Sequence, residues 1–585
     1  MKRINLLIFT TLIVFITISY SNIAFSFDKP DTKYFIIFKD KGEFKPGVKI
    51  KKGSKAYITG KALLTEKAIN RRLKVLTEDY LIDFRDLPVY EPYVSKIKAL
   101  KIDIIAKTKW FNAVTAYLTP EQVADLKQED YISEVRTTKK MFKQNSETYT
   151  FDNSIGKDTI KHRLNYGGSL HQLEIVNVPV LHDMYITGKG ILIADLDDGF
   201  NFKNHEALRD HTLVGQYDFV NKDPNPFNEP NQKYPDSKGQ SAHGTATISL
   251  VVAKKDGKMY GPCFDADVIL AKTEYVSTET PMEEDDFLEA CEWVESQGAD
   301  VITCSLNYKT FDDPYKNNSY SYDDLNGRTG VTTLAETHCA YLGIVVCQSI
   351  GNYYQTNVPS LGTAADADSI ISVGATLPNR NIVNFSSNGP TSDGRIKPDV
   401  VAQGVYDLVA VVKDKSGNDS TYEYGDGTSF STPIVAGLCG LILSAHPELT
   451  PMQVRDAVRN TADNSKSPNN VYGWGIPDAM DAALYFGPVF SNTLQFNGDS
   501  VFVYIASKTP LDNSTASVHY TYGSGQDYRS FNLNNSGSLN SNTERFSALA
   551  ADPDFLQKDL VYYVEISDMS GKKIISPISV VMHNK

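Results

Sequence analysis

YGDGTSFSTPIVAGLCGLILSAHP, residues 424–447, decides how the rest of the chain is read. From Thr432 to Ala445 the stretch is apolar on nearly every face, which predicts a helix buried on all sides, at the centre of a domain. Gly425, Gly427, Thr428, Ser429 and Ser431 lead into it, and Pro433 falls where a first helical turn tolerates a residue without an N–H. A serine at the entrance of a buried helix faces unpaired backbone N–H groups and the positive end of the helix dipole. That setting suits an attacking oxygen and the negative charge that follows attack. Taken alone, a set of caps on a core helix is the plainer reading, so the remaining chain has to decide.

With 585 residues the chain is too long for one ordinary core and predicts about three folded units plus a leader. Met1-Lys2-Arg3, the apolar run Ile4 to Ile18 and then Ala24-Phe25-Ser26 have the order of a secretory signal peptide over 1–26, which implies a secreted protein, extracellular or periplasmic. The apolar run is shorter than the roughly 20 residues of a membrane span, and no later segment is a candidate, so no stable membrane span is expected. Charge is uneven. Between Asp28 and Lys143, 25 basic residues against 16 acidic ones leave +9, while the chain from Gln144 onward carries −24. The lysines are scattered rather than clustered on one helix, and a partner of opposite sign lies in the same chain, which argues against nucleic acid. Cys263, Cys291, Cys304, Cys339, Cys347 and Cys439 show no metal spacing. Export permits disulfides, and buried free thiols are at least as good a reading.

Lys33 to Lys39 and Trp110 to Leu118 alternate like strands, and helical patterns cover Thr65 to Leu76 and Thr119 to Gln128. They predict a small α+β domain over 27–143, with a polar, aperiodic linker at 144–165. From Lys189 short continuous apolar runs, Ile191 to Leu196, Asp267 to Ala271, Asp300 to Leu306, Gly343 to Gln348 and Ser369 to Gly374, alternate with helix-length stretches such as Met282 to Gln297 and Thr332 to Tyr341. Continuous apolar strands are buried on both faces, so the fold class is α/β over 166–487, a parallel sheet with helices on both sides. Chemistry gathers at the carboxyl ends of such strands. Asp197-Asp198-Gly199, Asn307-Tyr308 and Ser349-Ile350-Gly351-Asn352 fall there, and His243-Gly244-Thr245 opens another apolar helical run. Over 488–585 alternating strands separated by Gly, Asn, Asp and Ser turns predict a β-sandwich.

Asp197, His243, Asn352 and Ser429 supply what amide hydrolysis needs: an anion to orient a base, the base, a donor for the oxyanion and a nucleophile. Their order, Asp then His then Ser, and the local words ILIADLDDGF (191–200), HGTATISL (243–250), ADVITCSL (299–306), SIGN (349–352), FSSNGPTSDGRIKPDVVAQG (385–404) and GTSFSTP (427–433) resemble the subtilisin-like serine proteases, the subtilases. The resemblance covers about 166–485. Asp198 stands where most members have Ser or Thr, Ala246 replaces a common His, and Gln403 a usual Pro.

The resemblance implies acyl transfer to Ser429 with His243 as base, Asp197 as its orienting anion and Asn352 with the Ser429 N–H as oxyanion donors, and no cofactor. It implies that 27–143 is a propeptide that inhibits in cis and is removed by self-processing, and that protein or peptide substrates bind along Ser305, Leu306, Asn307, Tyr308 and Gly351 by pairing as an added strand. Asn307 and Tyr308 depart from the family's glycines; Tyr308 either walls the pocket beside the scissile bond or folds away under 310–322. The turn Ala253 to Gly261 carries a single acid, against a strong calcium site, and weak structural calcium near Asp218 to Asp236 is left open. Two further readings stand beside the endopeptidase: a kexin-like processing protease, suggested by Asp198, and a catalytically silent adhesin on a subtilase scaffold.

Overall fold

A computed structural model describes residues 32–137 and 162–582, apart from 230, 238, 279, 310–318, 414–418, 524–526 and 551–552. The leader, most of the 144–165 linker and most of 310–322 therefore lie outside the described residues.

The N-terminal unit is an antiparallel sheet of β1 (Lys33–Phe38), β2 (Ala106–Thr108), β3 (Ala113–Tyr117) and β4 (Ile132–Thr137) in the order β2-β3-β1-β4. Around it stand helices α1 (Lys55–Lys61), α2 (Glu66–Arg72), α3 (Glu91–Ala99) and α4 (Pro120–Leu126). Thr65 and Thr119 cap α2 and α4 with their hydroxyls, which sets both helix starts within the predicted spans. Ile36, Val94, Ile97, Val114 and Leu126 close the core between sheet and helices.

The central unit holds seven parallel strands: β5 (Leu192–Asp197), β6 (Leu213–Asp218), β7 (Asp267–Lys272), β8 (Val301–Cys304), β9 (Val345–Ser349), β10 (Ile371–Thr376) and β11 (Val400–Gln403), in the order β11-β10-β9-β8-β5-β7-β6. Every pairing along that path is parallel. Two of these strands, β6 and β11, are absent from the sequence expectation: β6 is only half-buried at the sheet edge and carries Gly215 and Gln216, so it lacks the apolar run that marks an inner strand. Helices α5 (Ala242–Val252), α6 (Met282–Gln297), α7 (Val331–Tyr341) and α8 (Thr428–Ala445) cover the sheet. By length and composition α8 could cross a membrane, yet its apolar window is 94% buried inside the protein; it is the core helix that its sequence predicts. All six cysteines are buried and free.

The acidic helix α6 is where the N-terminal unit docks. Lys33 Nζ meets Asp285 at 2.8 Å, and the Thr115 hydroxyl donates to the same carboxylate at 2.6 Å. Arg72 Nε and Nη2 donate to Glu295 at 2.8 and 2.7 Å, Arg71 bonds Glu295 as well, and the Trp110 N–H donates to Glu292 at 3.0 Å. Lys33, Arg71, Arg72, Asp285 and Glu295 are all buried. The complementarity of charge anticipated from the sequence is thus a buried one. Pairs shut off from water are screened little by salt, so the steep salt dependence that bulk charge suggests does not follow.

Past Phe486 two antiparallel sheets face each other, one built around Ser500–Ala506 and Thr543–Leu549, the other around Leu511–Tyr522 and Leu560–Asp568. Val501, Val503, Ile505 and Phe546 from the first interdigitate with Val518, Tyr520, Val564 and Ile566 from the second, giving the sandwich that the alternating pattern predicts.

Candidate active site

β5 delivers Asp197 as its last residue, and the next two residues turn back toward α5. Gly199 sits at φ 114°, and a Cβ there would lie 2.7 Å from Ser241 Oγ and 2.9 Å from the Pro226 carbonyl, so the turn requires glycine. At Gly244 a Cβ would lie 2.3 Å from the Gly199 carbonyl and 3.0 Å from Asp197 Cβ; with none, the first turn of α5 presses against the end of β5. His243 Nδ1 then lies 2.7 Å from Asp197 Oδ1. That bond holds a proton on Nδ1 and presents Nε2 as the acceptor.

α5 starts at a left-handed Ser241, φ 65°, whose side chain makes no capping bond. Asp198 fills that role from the neighbouring strand end: Gly244 N–H donates to its Oδ1 at 2.9 Å, and His243 N–H lies 3.4 Å from Oδ2. Burial, with Asp197 beside it, pushes the Asp198 carboxyl up to about 7. Burial works against a charged His243, but Asp197 in contact, with Asp198 and Asp195 behind, outweighs it and pushes the imidazole up to about 9. The ring keeps 34% of its side chain exposed to the cleft, where water screens these charges and draws the value back toward the ordinary one.

α8 begins at Thr428, four residues before the apolar run, so Pro433 falls in the second turn and not the first. Its missing N–H leaves the Ser429 carbonyl, four residues back, without a helical donor. The Ser305 hydroxyl takes that place, donating to the Ser429 carbonyl at 2.9 Å, while Ser429 Oγ donates to the Ser305 carbonyl at 3.2 Å. The end of β8 and the entrance of α8 are thereby clasped to each other. Asn352, just past β9, accepts at Oδ1 from both the N–H (3.0 Å) and the hydroxyl (2.9 Å) of Thr428. With its carbonyl end held, the carboxamide has its N–H group left to offer beside Ser429.

His243, Ser429 and Asn352 line one cleft of about 350 Å³ together with Ser305, Leu306, Asn307 and Gly351, and Asp197 stands fully buried behind the histidine. Tyr308 is the exception. Its ring is buried and meets Phe287 edge-on at 5.8 Å; its N–H and carbonyl are both taken by Thr363, at 3.0 and 3.1 Å. With neither ring nor backbone available, Tyr308 cannot pair with a substrate, and the reading of it as a substrate-binding residue is corrected: the ring folds into the core. The signal in the sequence was ambiguous because an aromatic just past a strand fits a pocket wall and a core plug equally. Asn307 turns inward too, its Nδ2 donating to the Ser349 carbonyl at 2.9 Å, which ties the ends of β8 and β9 together.

Three residues that shape the cleft escaped sequence reasoning. Gln240 Nε2 donates to the Asp198 and Glu274 carbonyls and its Oε1 accepts from Val276 N–H at 3.0 Å; nothing in a polar loop marks such a brace. Thr247 and Asp195 stand behind Asp197. Asp195 did carry a signal, a charge inside an otherwise apolar strand.

A model of the subtilase family matches residues 188–475, and one of the peptidase S8 propeptide domain of Bacteroidota matches residues 33–151. The chain belongs to the subtilase family. It is a serine peptidase of that family, a hydrolase, with a propeptide domain ahead of its catalytic domain. Among curated relatives of this subtilase are serine protease AprX of Bacillus subtilis, 28% identical over 51% of this chain and 67% of that protein, and subtilisin E of the same organism, 27% identical over 64% and 81%. A solved protease of Pseudoalteromonas arctica superposes with a TM-score of 0.40 at 22% identity, over 53% of this chain and 93% of its own.

Proposed function

We propose that this subtilase is a secreted serine endopeptidase, made as a self-processing precursor, whose triad is Asp197, His243 and Ser429. The observation that carries the reading is the 2.7 Å bond from His243 to Asp197 at the mouth of a cleft that Ser429 shares. In the reaction the Ser429 hydroxyl turns from the Ser305 carbonyl to His243 Nε2, gives up its proton there and bonds to the substrate carbonyl carbon. The Asn352 amide and the Ser429 N–H, at the positive end of α8, take the oxyanion. His243 then returns the proton to the leaving amine, and water repeats the sequence on the acyl-enzyme. Asp197 keeps the imidazole in the right tautomer and stabilises its cation. The segment 27–143 acts as the inhibitor in cis, and the leader directs export.

The chemistry needs no cofactor. At the loop from Asp218 to Asp236 the Lys272 ammonium lies 2.8 Å from Asp218 and 2.7 Å from Asp236, which supplies a cation where calcium was left open. A preference for basic side chains, the processing-protease reading, has one observation in its favour: Asp198, Glu274 and Asp426 also line the cleft. Because Asp198 is committed to the start of α5, the general endopeptidase is the better reading, and a peptide-library profile dominated by Arg or Lys would reverse that order.

The deciding experiment is casein hydrolysis by the mature protein beside Ser429→Ala. The variant should fold and show no turnover, and its precursor should stay uncleaved; hydrolysis at the wild-type rate would remove Ser429 from the mechanism and favour the scaffold reading.

A further inference from the structure

Asp195 lies two residues before Asp197 in β5, so the two side chains project from the same face of the strand. It is fully buried. The groups that act on it most are Asp197, the Thr247 hydroxyl, His243 and Asp198, of which only His243 can become a cation. From β8 the buried Thr303 stands beside Asp195, while the Cys304 thiol lies with Leu196 on the other face of the sheet; from β7, Lys272 is occupied by Asp218 and Asp236. A carboxylate in such a place costs several kcal/mol unless it is paired or gives up its charge. Burial, with Asp197 close by, pushes the Asp195 carboxyl well above the usual range.

Thr247, one turn after His243 on α5, stands between the two acids. Its Oγ1 is 3.0 Å from Asp195 Oδ2, 3.2 Å from Asp197 Oδ2 and 3.1 Å from the Gly244 carbonyl. One hydroxyl has one hydrogen, and two anions cannot both draw on it. A proton on Asp195 removes the conflict: Asp195 O–H donates to Thr247 Oγ1, and Thr247 O–H is left to donate to Asp197 Oδ2. The other Asp195 oxygen, Oδ1, is buried without a hydrogen-bond partner, which a neutral acid tolerates far better than an anion.

We propose that Asp195 is a positioning residue of the triad, a neutral acid whose hydrogen bond to Thr247 orders the chain Asp195–Thr247–Asp197–His243 and holds Asp197 from behind. The inference rests on the triad reading above and deepens it. With both acids charged, His243 would grip its proton and be a poor base near neutral pH; the neutral Asp195 leaves Asp197 the nearest anion and steadies it with a donor. Asp195 touches no substrate, so its effect reaches the reaction through Asp197 alone.

The test is kcat and KM of the mature enzyme on a peptide substrate across the acid limb of the pH profile, for wild type, Asp195→Leu, Asp195→Asn and Thr247→Val. Asp195→Leu, which fills the space but donates nothing, should lower kcat about tenfold at unchanged KM and move the acid limb upward, because the Thr247 hydroxyl, no longer held by Asp195, is free to turn to the Gly244 carbonyl at 3.1 Å, and Asp197 without its donor holds the imidazolium more tightly. Thr247→Val should do the same, and the double variant should be no worse than either single one. Asp195→Asn, whose amide N–H can still donate to Thr247, should restore kcat to within about twofold and leave the acid limb in place. An acid limb that moves downward in Asp195→Asn would mean that a charge had been removed, and would overturn the proposal. So would an Asp195→Leu enzyme with the kcat and pH profile of wild type. If the leucine variant does not mature, the asparagine variant decides alone. Failure of the triad itself would appear separately, as activity retained in Ser429→Ala.

Discussion

Two clusters of buried charge face different ways in this protein. Under the N-terminal unit, Lys33, Arg71 and Arg72 meet Asp285 and Glu295 with both signs present and in contact. Behind the cleft, Asp195, Asp197 and Asp198 share one histidine. Burial raises the energy of a charge in both places, and each answers it differently. Around Glu295 the charge is matched, so its carboxyl stays ionised to low pH: burial opposes its charge, but Arg71 and Arg72 outweigh that and hold it down to about 2. Behind the cleft Asp195 and Asp198 have no cation of their own and are pushed upward, to about 7 for Asp198. Matched buried charge makes an adhesive; unmatched buried charge makes groups that exchange protons near neutral pH.

The sharpest way to break the cleft side of this contrast, after loss of the nucleophile, is Asn352→Ala. It should cost about 10²–10³ in kcat with KM nearly unchanged, a magnitude carried over from subtilisin. A rise in KM of the same size would show that Asn352 binds the ground state instead. On the docking side, Glu295→Gln should leave the buried Arg71 without its counter-charge and Arg72 with Asp86 alone, and weaken inhibition by added N-terminal unit about 10²-fold or more. The pH dependence has a definite sign: because Glu295 is held lower in the complex than in the free catalytic domain, the stabilisation it contributes is complete above the ordinary glutamate range of about 4.3 and is lost as pH falls toward about 2. Inhibition titrated down from neutral pH should therefore persist through mild acid, and raising salt from about 0.05 to 0.5 M should shift it only a few-fold; loss at pH 5 or a hundredfold salt effect would mean that exposed charge carries the association.

Smaller effects sharpen the picture. Ser305→Ala leaves the Ser429 carbonyl without its donor beside Pro433 and should lower stability by about 1–2 kcal/mol, read as a fall in Tm, with a further loss of kcat as the entrance of α8 loosens. Tyr308→Phe should leave the substrate profile unchanged, since neither the ring nor the backbone of Tyr308 faces the cleft.

How far the sequence could be read follows from where the information sits. The helix from Met282 to Gln297 was legible to the residue, since its apolar period ends on a left-handed Gly298. The inner strands were legible as apolar runs, and the edge strand β6 was not. Asp197, His243, Asn352 and Ser429 were legible because each sits at the end of an element where local words and topology agree, and the structure brings the last three to one cleft with Asp197 buried behind the histidine. Tyr308 was not, because a side chain's direction past a strand end depends on tertiary partners, here Thr363 and Phe287. Pro433 was misplaced by one turn for a related reason: the start of α8 is set by the clasp between Ser305 and Ser429, which no local pattern announces.

Lys272 carries a consequence of another kind. Its ammonium joins Asp218 to Asp236, at the two ends of the stretch that leads on to Gln240, the brace of the Asp198 turn. A mineral ion in that position could be stripped by a chelator or diluted away, and the cleft would then depend on what the surroundings provide. A counter-ion bonded into the polypeptide is delivered with every molecule synthesised, in fixed ratio, and cannot be washed out. At this loop the chain carries its own answer to the charge of the two aspartates.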